Sequence, residues 1–173
     1  MKSYPLASRS LPLDDSWDVI VAGGGPAGCA AAAAAAREGT RTLLIESTGA
    51  LGGAGTNALV PAWCPFSDKE KIIYRGLAEK VFNASKSGVA HLGAADLDWV
   101  PIDAEHLKGV YDDLVTDAGA TTAFHTFLTS VEKDGDSLSA LLVADKSGLR
   151  ALRAKVYVDC TGCLLYTSPS PRD

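Results

Sequence analysis

The sequence contains no cluster of basic residues and no long apolar run. Its 16 lysines and arginines are outnumbered by 21 aspartates and glutamates, giving a formal net charge of −5. An acidic chain without a basic patch is not typical of nucleic-acid-binding proteins. No stretch has the apolar length of a membrane span, and residues 1–15 lack the apolar core of a signal peptide. We therefore expect a cytoplasmic protein that binds neither nucleic acid nor membranes.

Cysteine is also scarce, with four residues in the chain. Cys29, Cys64 and Cys160 have no metal-ligand spacing and suit a reducing compartment, so no metal site is predicted. We expect Cys29 and Cys160 to be small buried residues. The hydrophobic share of 47% and the charged share of 21% are those of a folded globular domain.

Residues 163–173, CLLYTSPSPRD, break abruptly with the preceding pattern. The string resembles the translation of a transposase-type sequencing-library adapter, and we interpret it as a non-native tail. Cys160 and Cys163 have the C-x-x-C spacing of redox-active cysteine pairs, but Cys163 belongs to this tail. A redox-active dithiol is therefore not predicted.

Residues 17–46, WDVIVAGGGPAGCAAAAAAAREGTRTLLIE, predict a strand, a glycine turn, a helix and a second strand. Gly23, Gly25 and Gly28 follow the first apolar run at G-x-G-x-x-G spacing, which is typical of dinucleotide-binding turns. We expect Gly23 to permit the tight turn, Gly25 to let the backbone approach a pyrophosphate, and Gly28 to let the helix pack closely. The alternative is a purely structural turn without a ligand.

The start of this helix suits an anion. Its free N–H groups and positive dipole end attract phosphates without a lysine, and Pro26 fits the first helical position. Glu46 ends the second strand eighteen residues after Gly28 (46 − 28), where a carboxylate accepts hydrogen bonds from an adenosine ribose. Neither Ser47 nor Thr48 is basic, which argues against a 2′-phosphate. The predicted cofactor contacts in this unit are Gly23, Gly25, Pro26, Ala27, Gly28, Glu46 and Ser47.

A second glycine-rich loop, STGALGGAGTN, follows at residues 47–57. A loop that leaves the carboxyl end of the second strand lies beside the crevice in which such folds bind ligands. Gly52, Gly53 and Thr56 are therefore predicted to line the path of a long dinucleotide. The alternative is a flexible solvent loop.

The remaining segments alternate between irregular structure, helix and strand. Residues 58–66 fit no helix pattern, residues 69–83 predict a helix, and residues 85–100 predict a loop. Asp103 is the predicted N-cap of a further helix, with Ile102 and Leu107 as a hydrophobic staple and Gly119 at its end. Residues 121–127 predict a strand, three runs at 128–133, 138–146 and 149–154 predict a β-meander, and residues 155–159 predict a last strand. The predicted fold class is α/β, with a partly built parallel sheet plus the meander.

The combination resembles the amino-terminal half of FAD-dependent oxidoreductases with a glutathione-reductase-like FAD domain, specifically the bacterial FAD-dependent oxidoreductase family. The resemblance rests on DVIVAGGGPAGCAAAAAAAREGTRTLLIE, LGGAGTNALVP, DAEHLKGVYDDLVTDAGATTAFHT and AKVYVDCTG. It implies a truncated Rossmann-like FAD-binding domain over residues 17–162, with a lead-in at 1–16 and a helical excursion at 58–102. The family's D-A-T-G-D signature appears as Asp159-Cys160-Thr161-Gly162, without the closing aspartate. Thr161 and Gly162 thereby join the predicted cofactor contacts.

The resemblance implies hydride transfer between a small-molecule substrate and FAD. An NAD-dependent dehydrogenase and a nucleotide-binding fold used as a non-catalytic interaction module are the alternatives. We assign no catalytic residue. Cys64 is the residue expected to come nearest the flavin ring, ahead of His91, His106 and His125. His106 is expected to face solvent and His125 to lie in a strand, and the oligomeric state is left open.

Overall fold

The computed structural model describes residues 8, 10–68, 70–93 and 95–162, so the tail predicted at residues 163–173 lies outside the described residues. None of the helices in these ranges is long and apolar enough to cross a membrane. The secondary structure consists of β1 (Leu13–Asp14), β2 (Val19–Ala22), α1 (Pro26–Arg37), β3 (Thr42–Ile45), a 3-10 turn (Gly53–Gly55), α2 (Leu77–Lys86), α3 (Ala104–Asp117), β4 (Thr121–Ala123), β5 (Phe127–Asp134), β6 (Ser137–Asp145), β7 (Gly148–Leu152) and β8 (Val156–Asp159).

A parallel sheet with strand order β4-β3-β2-β8 forms the centre of the fold. Every residue of β2 and β3 is buried, which explains why both strands read as continuous apolar runs. Because side chains alternate along a strand, Val19 and Val21 pack with α1 and α3, whereas Ile20 and Ala22 pack on the meander. The predicted α/β class is confirmed.

The predicted β-meander is also confirmed and covers the second face of the parallel sheet. β5, β6 and β7 pair antiparallel in sequence order. Leu141, Val143 and Leu152 bury their side chains against the parallel sheet. β1 pairs parallel with the outer edge of β7, through hydrogen bonds that include Ala151 N–H to the Pro12 carbonyl at 2.8 Å. The lead-in segment is therefore docked on the edge of the meander.

Helices α1 and α3 cover the other face of the parallel sheet. The alanines of α1 permit close approach because they carry no bulk beyond Cβ, and Ala32 and Ala33 are fully buried. Asp103 caps α3, as predicted, by accepting the His106 N–H at 2.9 Å. Leu107 is fully buried, and Ile102 packs against the same core cluster.

The helix predicted over residues 69–83 was placed too early. α2 begins at Leu77, after Gly76 at φ +71, and it continues to Lys86 inside the predicted loop at 85–100. Upstream, the Asp68 carboxylate accepts the N–H groups of Glu70 and Lys71 at 3.0 and 2.9 Å. This turn competes with helix formation, because the side chain offers the backbone another partner.

The strand predicted over residues 121–127 is two strands. β4 ends at Ala123, and His125 has a φ of +51, so the expectation that His125 lies in a strand was wrong. Two hydrogen bonds hold the segment after β4 beside the end of β3. His125 N–H donates to the Thr48 carbonyl at 3.0 Å, and Thr126 N–H donates to the Glu46 carbonyl at 2.9 Å. These contacts end one sheet and start the next.

Replacing Asp103 by alanine should lower the free energy of unfolding by about 1 kcal/mol, because the His106 N–H loses its acceptor. Asp103→Asn keeps an acceptor and serves as the matched control. Urea unfolding measured by circular dichroism checks both variants. Equal stability of wild type and Asp103→Ala would show that the cap contributes nothing.

Candidate functional site

The carboxyl ends of β2, β3 and β8 open into one cleft of about 440 Å³. This volume lies in the range of about 300–1,000 Å³ that is typical of small-molecule sites. Ala22, Ile45 and Cys160 form its base at the three strand ends. In open parallel sheets, ligands bind at this edge.

The first glycine turn forms one wall of the cleft, and it is sterically closed to side chains at two positions. A Cβ on Gly28 would lie 1.7 Å from the Gly23 carbonyl oxygen, and a Cβ on Gly23 would lie 2.5 Å from the Cys160 carbonyl oxygen. Gly23 also has a φ of +97, which favours glycine. At Gly25, by contrast, a Cβ would have nothing within 4 Å, and Gly25 lines the cleft. The backbone at Gly25 is therefore open to a ligand.

The amino terminus of α1 points its unused donors at this wall. Cys29 N–H donates to the Gly25 carbonyl at 2.9 Å, so the N–H groups of Ala27 and Gly28 come before the first hydrogen bond of the helix. The first turn of α1 contains no acidic residue. Glu46 is the only charged side chain among the described residues that line the cleft. An anion in the cleft would therefore be attracted by the dipole of α1 and by its free N–H groups.

Glu46 follows β3 directly and is held next to the glycine turn. Its Oε2 accepts the Gly24 N–H at 2.7 Å, and its Oε1 accepts the Thr48 N–H at 2.7 Å and the Ser47 hydroxyl at 3.2 Å. The residue is 8% exposed. Burial raises the pKa of the Glu46 carboxyl, but these hydrogen bonds outweigh it and hold the pKa below its ordinary value of 4.5. The site therefore contains a carboxylate at neutral pH.

The second glycine loop closes over the first turn. Gly52 N–H donates to the Gly24 carbonyl at 2.8 Å, and a Cβ on Gly53 would lie 3.0 Å from the Gly25 Cα. Gly53 lines the cleft. Thr56 is 1% exposed, and its hydroxyl donates to the Leu51 carbonyl at 2.7 Å. Gly52 and Thr56 thus stabilise the loop and do not face the cleft.

The segment after β8 completes the cleft. Thr161 and Gly162 line it, and Thr161 N–H donates to the Asp159 carboxylate at 2.9 Å. Cys160 also lines the cleft and is half-buried, so the expectation that Cys160 is a buried residue was wrong. Cys29 is fully buried, and burial raises the pKa of its thiol to about 12.

Nine of the twelve predicted site residues line the cleft, and Gly28, Gly52 and Thr56 support it from behind. Ala54, Thr126 and Leu128 also line it and were not among the predicted contacts. The break between β4 and β5 brings Thr126 and Leu128 there, and no motif marks that break. The nine predicted residues in the cleft are Gly23, Gly25, Pro26, Ala27, Glu46, Ser47, Gly53, Thr161 and Gly162.

The cysteine and histidines considered for catalysis do not line this cleft. Cys64 is exposed. His106 does not simply face solvent, because its Nε2 lies 3.0 Å from both the Ala84 carbonyl and the Ser87 hydroxyl. Its ring joins the end of α2 to the start of α3. His125 lies beside Gly49, two residues after the carboxyl end of β4.

The sequence model of the family described as FAD dependent oxidoreductase matches residues 18–164. The chain belongs to this family. FAD is accordingly its cofactor. A search among curated proteins found no match.

Solved structures share the fold of this chain at low sequence identity. A geranylgeranyl bacteriochlorophyll reductase-like protein from Thermoplasma acidophilum is 21% identical, with a TM-score of 0.55 over 85% of this chain and 39% of its own. THI4 from Thermovibrio ammonificans is 19% identical, with a TM-score of 0.56 over 84% of this chain and 57% of its own. The 3-ketosteroid-Δ4-(5α)-dehydrogenase from Rhodococcus jostii RHA1 is 16% identical, with a TM-score of 0.58 over 84% and 46%. The chain spans less than two thirds of the length of each.

The residues of the cleft fit FAD. The approach to the backbone at Gly25 is unobstructed, the helix start offers free N–H donors, and a carboxylate lies beside them. These features match a pyrophosphate that is joined to a ribose.

Gly28→Ala should destabilise the fold by more than about 2 kcal/mol, since the new Cβ would overlap the Gly23 carbonyl oxygen. Gly109→Ala is the matched control, because Gly109 lies inside α3 with nothing within 4 Å of its Cβ. The control should gain about 0.5–1 kcal/mol. Thermal unfolding compares the two. Similar behaviour of both variants would contradict the close approach at Gly28.

Glu46 should contribute stability that depends on pH. Because its folded pKa is lowered, the contribution is fully present above the ordinary value of 4.5 and is lost as the pH falls through the folded pKa. Glu46→Gln should cost about 1–2 kcal/mol at neutral pH and less at about pH 3. Urea unfolding at the two pH values measures the difference, with Glu105→Gln on the surface of α3 as the control. A cost that does not change with pH would refute the role of the charge.

Proposed function

We propose that the protein is the cofactor-binding part of an enzyme that transfers hydride between a small organic substrate and FAD. The observation that carries the proposal is the meeting of the α1 amino terminus, Glu46 and the second glycine loop in one cleft. When bound, FAD supplies the ring that accepts or donates the hydride. The protein supplies binding and orientation.

The first glycine turn would hold the pyrophosphate. The N–H groups of Ala27 and Gly28 are unused by the helix, and Gly25 leaves room for phosphate oxygens to approach the backbone. Pro26 has no N–H, so the first helical position loses no donor. The dipole of α1 offsets part of the negative charge, so a lysine is not required.

Glu46 would hold the adenosine ribose. A carboxylate has about four acceptor positions, and three are used by Gly24, Thr48 and Ser47. The remaining capacity suits a donating ribose hydroxyl. The same negative charge disfavours a 2′-phosphate, since like charges repel.

The other wall of the cleft would direct the flavin end of the cofactor. Gly53 and Ala54 from the second loop and Thr161 and Gly162 from the segment after β8 line the same cleft. The meander between β4 and β8 supports the glutathione-reductase-like subtype, as the resemblance implies. We assign the domain to residues 17–162 and interpret 163–173 as a non-native tail. Sequencing source DNA across the Gly162 codon tests the tail.

FAD binding by the purified chain tests the proposal. FAD and ADP should bind and compete with each other, whereas FMN should not, because the described contacts address the adenosine and pyrophosphate half. Gly25→Ala should weaken FAD binding at least about tenfold, because its Cβ enters the open space without disturbing the fold. Gly109→Ala is the control, because it makes the same substitution in α3, outside the cleft. Calorimetry gives the affinities, and thermal unfolding checks the fold.

Two results would overturn the proposal in different ways. Tighter binding of NAD than of FAD would favour a nicotinamide-dependent dehydrogenase. Absence of binding by every adenine dinucleotide would favour an interaction module without a cofactor.

A further inference from the structure

A second cavity, of about 300 Å³, lies on the helical side of the fold. It is a half-open cavity bordered by α1, α2, α3 and the irregular segment before α2, and carbon atoms make up almost all of its lining. None of the described residues that line it is charged. Its lining residues include Trp63, Phe66, Tyr74, Ala78 and Tyr111.

The aromatic wall of this cavity is held in a fixed arrangement. The rings of Trp63 and Phe66 meet edge to face at a centroid distance of 5.8 Å, and Phe66 stacks on Phe82 at 4.4 Å. Trp63 also donates its Nε1–H to the Ser85 hydroxyl at 2.9 Å. Because these rings support each other, the wall is preformed, and binding there orders few side chains.

Tyr111 adds one polar group to the apolar cavity. The residue is 3% exposed and lines the cavity. Burial raises the pKa of Tyr111 above its ordinary value of 10.0, and the nearby Cys29 adds to this, so the hydroxyl remains protonated. A protonated hydroxyl is a hydrogen-bond donor, so a ligand oxygen in the cavity would accept from it.

We infer that this cavity binds an uncharged, ring-bearing small molecule with an oxygen that pairs with the Tyr111 hydroxyl. The aromatic wall favours a flat ring, which gains from stacked and edge-to-face contacts. The absence of charge in the described lining disfavours ionic ligands, because a buried charge requires a partner. The cavity volume of about 300 Å³ is at the lower end of the range for small-molecule sites.

The site goes beyond the proposed function and does not depend on it. Pro26 lines both this cavity and the dinucleotide cleft, so the two sites are neighbours that share this residue and differ in all their other described lining residues. FAD binding can fail while the cavity binds its ligand, and the reverse also holds.

Titration of the ¹⁵N-labelled chain with 2-naphthol tests the inference by NMR. The chain has three tryptophan indoles, at Trp17, Trp63 and Trp99. The Trp63 signal should shift and saturate, whereas Trp17 lies against the meander and Trp99 is 67% exposed, so both should stay unchanged. No saturable shift up to the solubility limit, or equal shifts of all three signals, would overturn the inference.

Variants locate the binding. Ala78→Phe fills the cavity from α2 and should weaken 2-naphthol binding at least about tenfold, whereas Asn83→Phe on the exposed side of the same helix should leave it unchanged. If Ala78→Phe does not fold, Tyr74→Ala takes its place. It removes a half-exposed residue from the wall of the cavity and should weaken 2-naphthol binding. Unchanged affinity in a folded cavity variant would overturn the inference.

The Tyr111 hydroxyl is tested with a pair of probes. Tyr111→Phe should weaken 2-naphthol about fivefold, which corresponds to one hydrogen bond, and should leave naphthalene unchanged. An equal effect on both probes would contradict the assigned role of the hydroxyl. Circular dichroism confirms the fold of each variant.

Discussion

The hydrogen bond from Gly24 N–H to the Glu46 carboxylate joins the parts of the cleft that lie far apart in sequence. It links the turn after β2 to the end of β3 over 2.7 Å. The backbone of Glu46 extends the link, since its N–H donates to the Ala123 carbonyl and its carbonyl accepts the Thr126 N–H, both at 2.9 Å. A buried carboxylate is costly without partners. The same contacts that stabilise the charge therefore fix three chain segments around the cleft.

Glycine residues, which have no side chain, determine where α1 begins. The carbonyl of Gly23 occupies the space that a Cβ on Gly28 would need, so the helix starts directly at the strand end. Pro26 and Ala27 in the first turn of α1 thereby border the cleft that Glu46 also lines. An electrostatic site for phosphate then arises from backbone alone, with a carboxylate close enough to favour a sugar hydroxyl. Sterics at one glycine thus have an electrostatic consequence.

The sequence predicts the elements whose signals are local. β2 and β3 are recognisable because strands buried on both faces read as apolar runs, and α3 is recognisable by Asp103 and its staple. The start of α2 was misplaced because the spacing of Ile73 and Leu77 cannot show that Gly76 adopts a positive φ. The orientation of Thr56 and the break at His125 were also missed. Both depend on partners, Leu51 and Thr48, whose positions only the folded chain defines.

Pro26 explains how a polar cleft and an apolar cavity can share a boundary. A residue at the first helical position normally exposes an unused N–H, which is unfavourable next to an apolar space. Proline has no such donor, and its ring presents carbon atoms to the cavity that Trp63 and Tyr111 line. On the cleft side, the donors begin with the next residue, Ala27. The change from polar to apolar lining therefore occurs across a single side chain, without leaving a buried donor unsatisfied at that position.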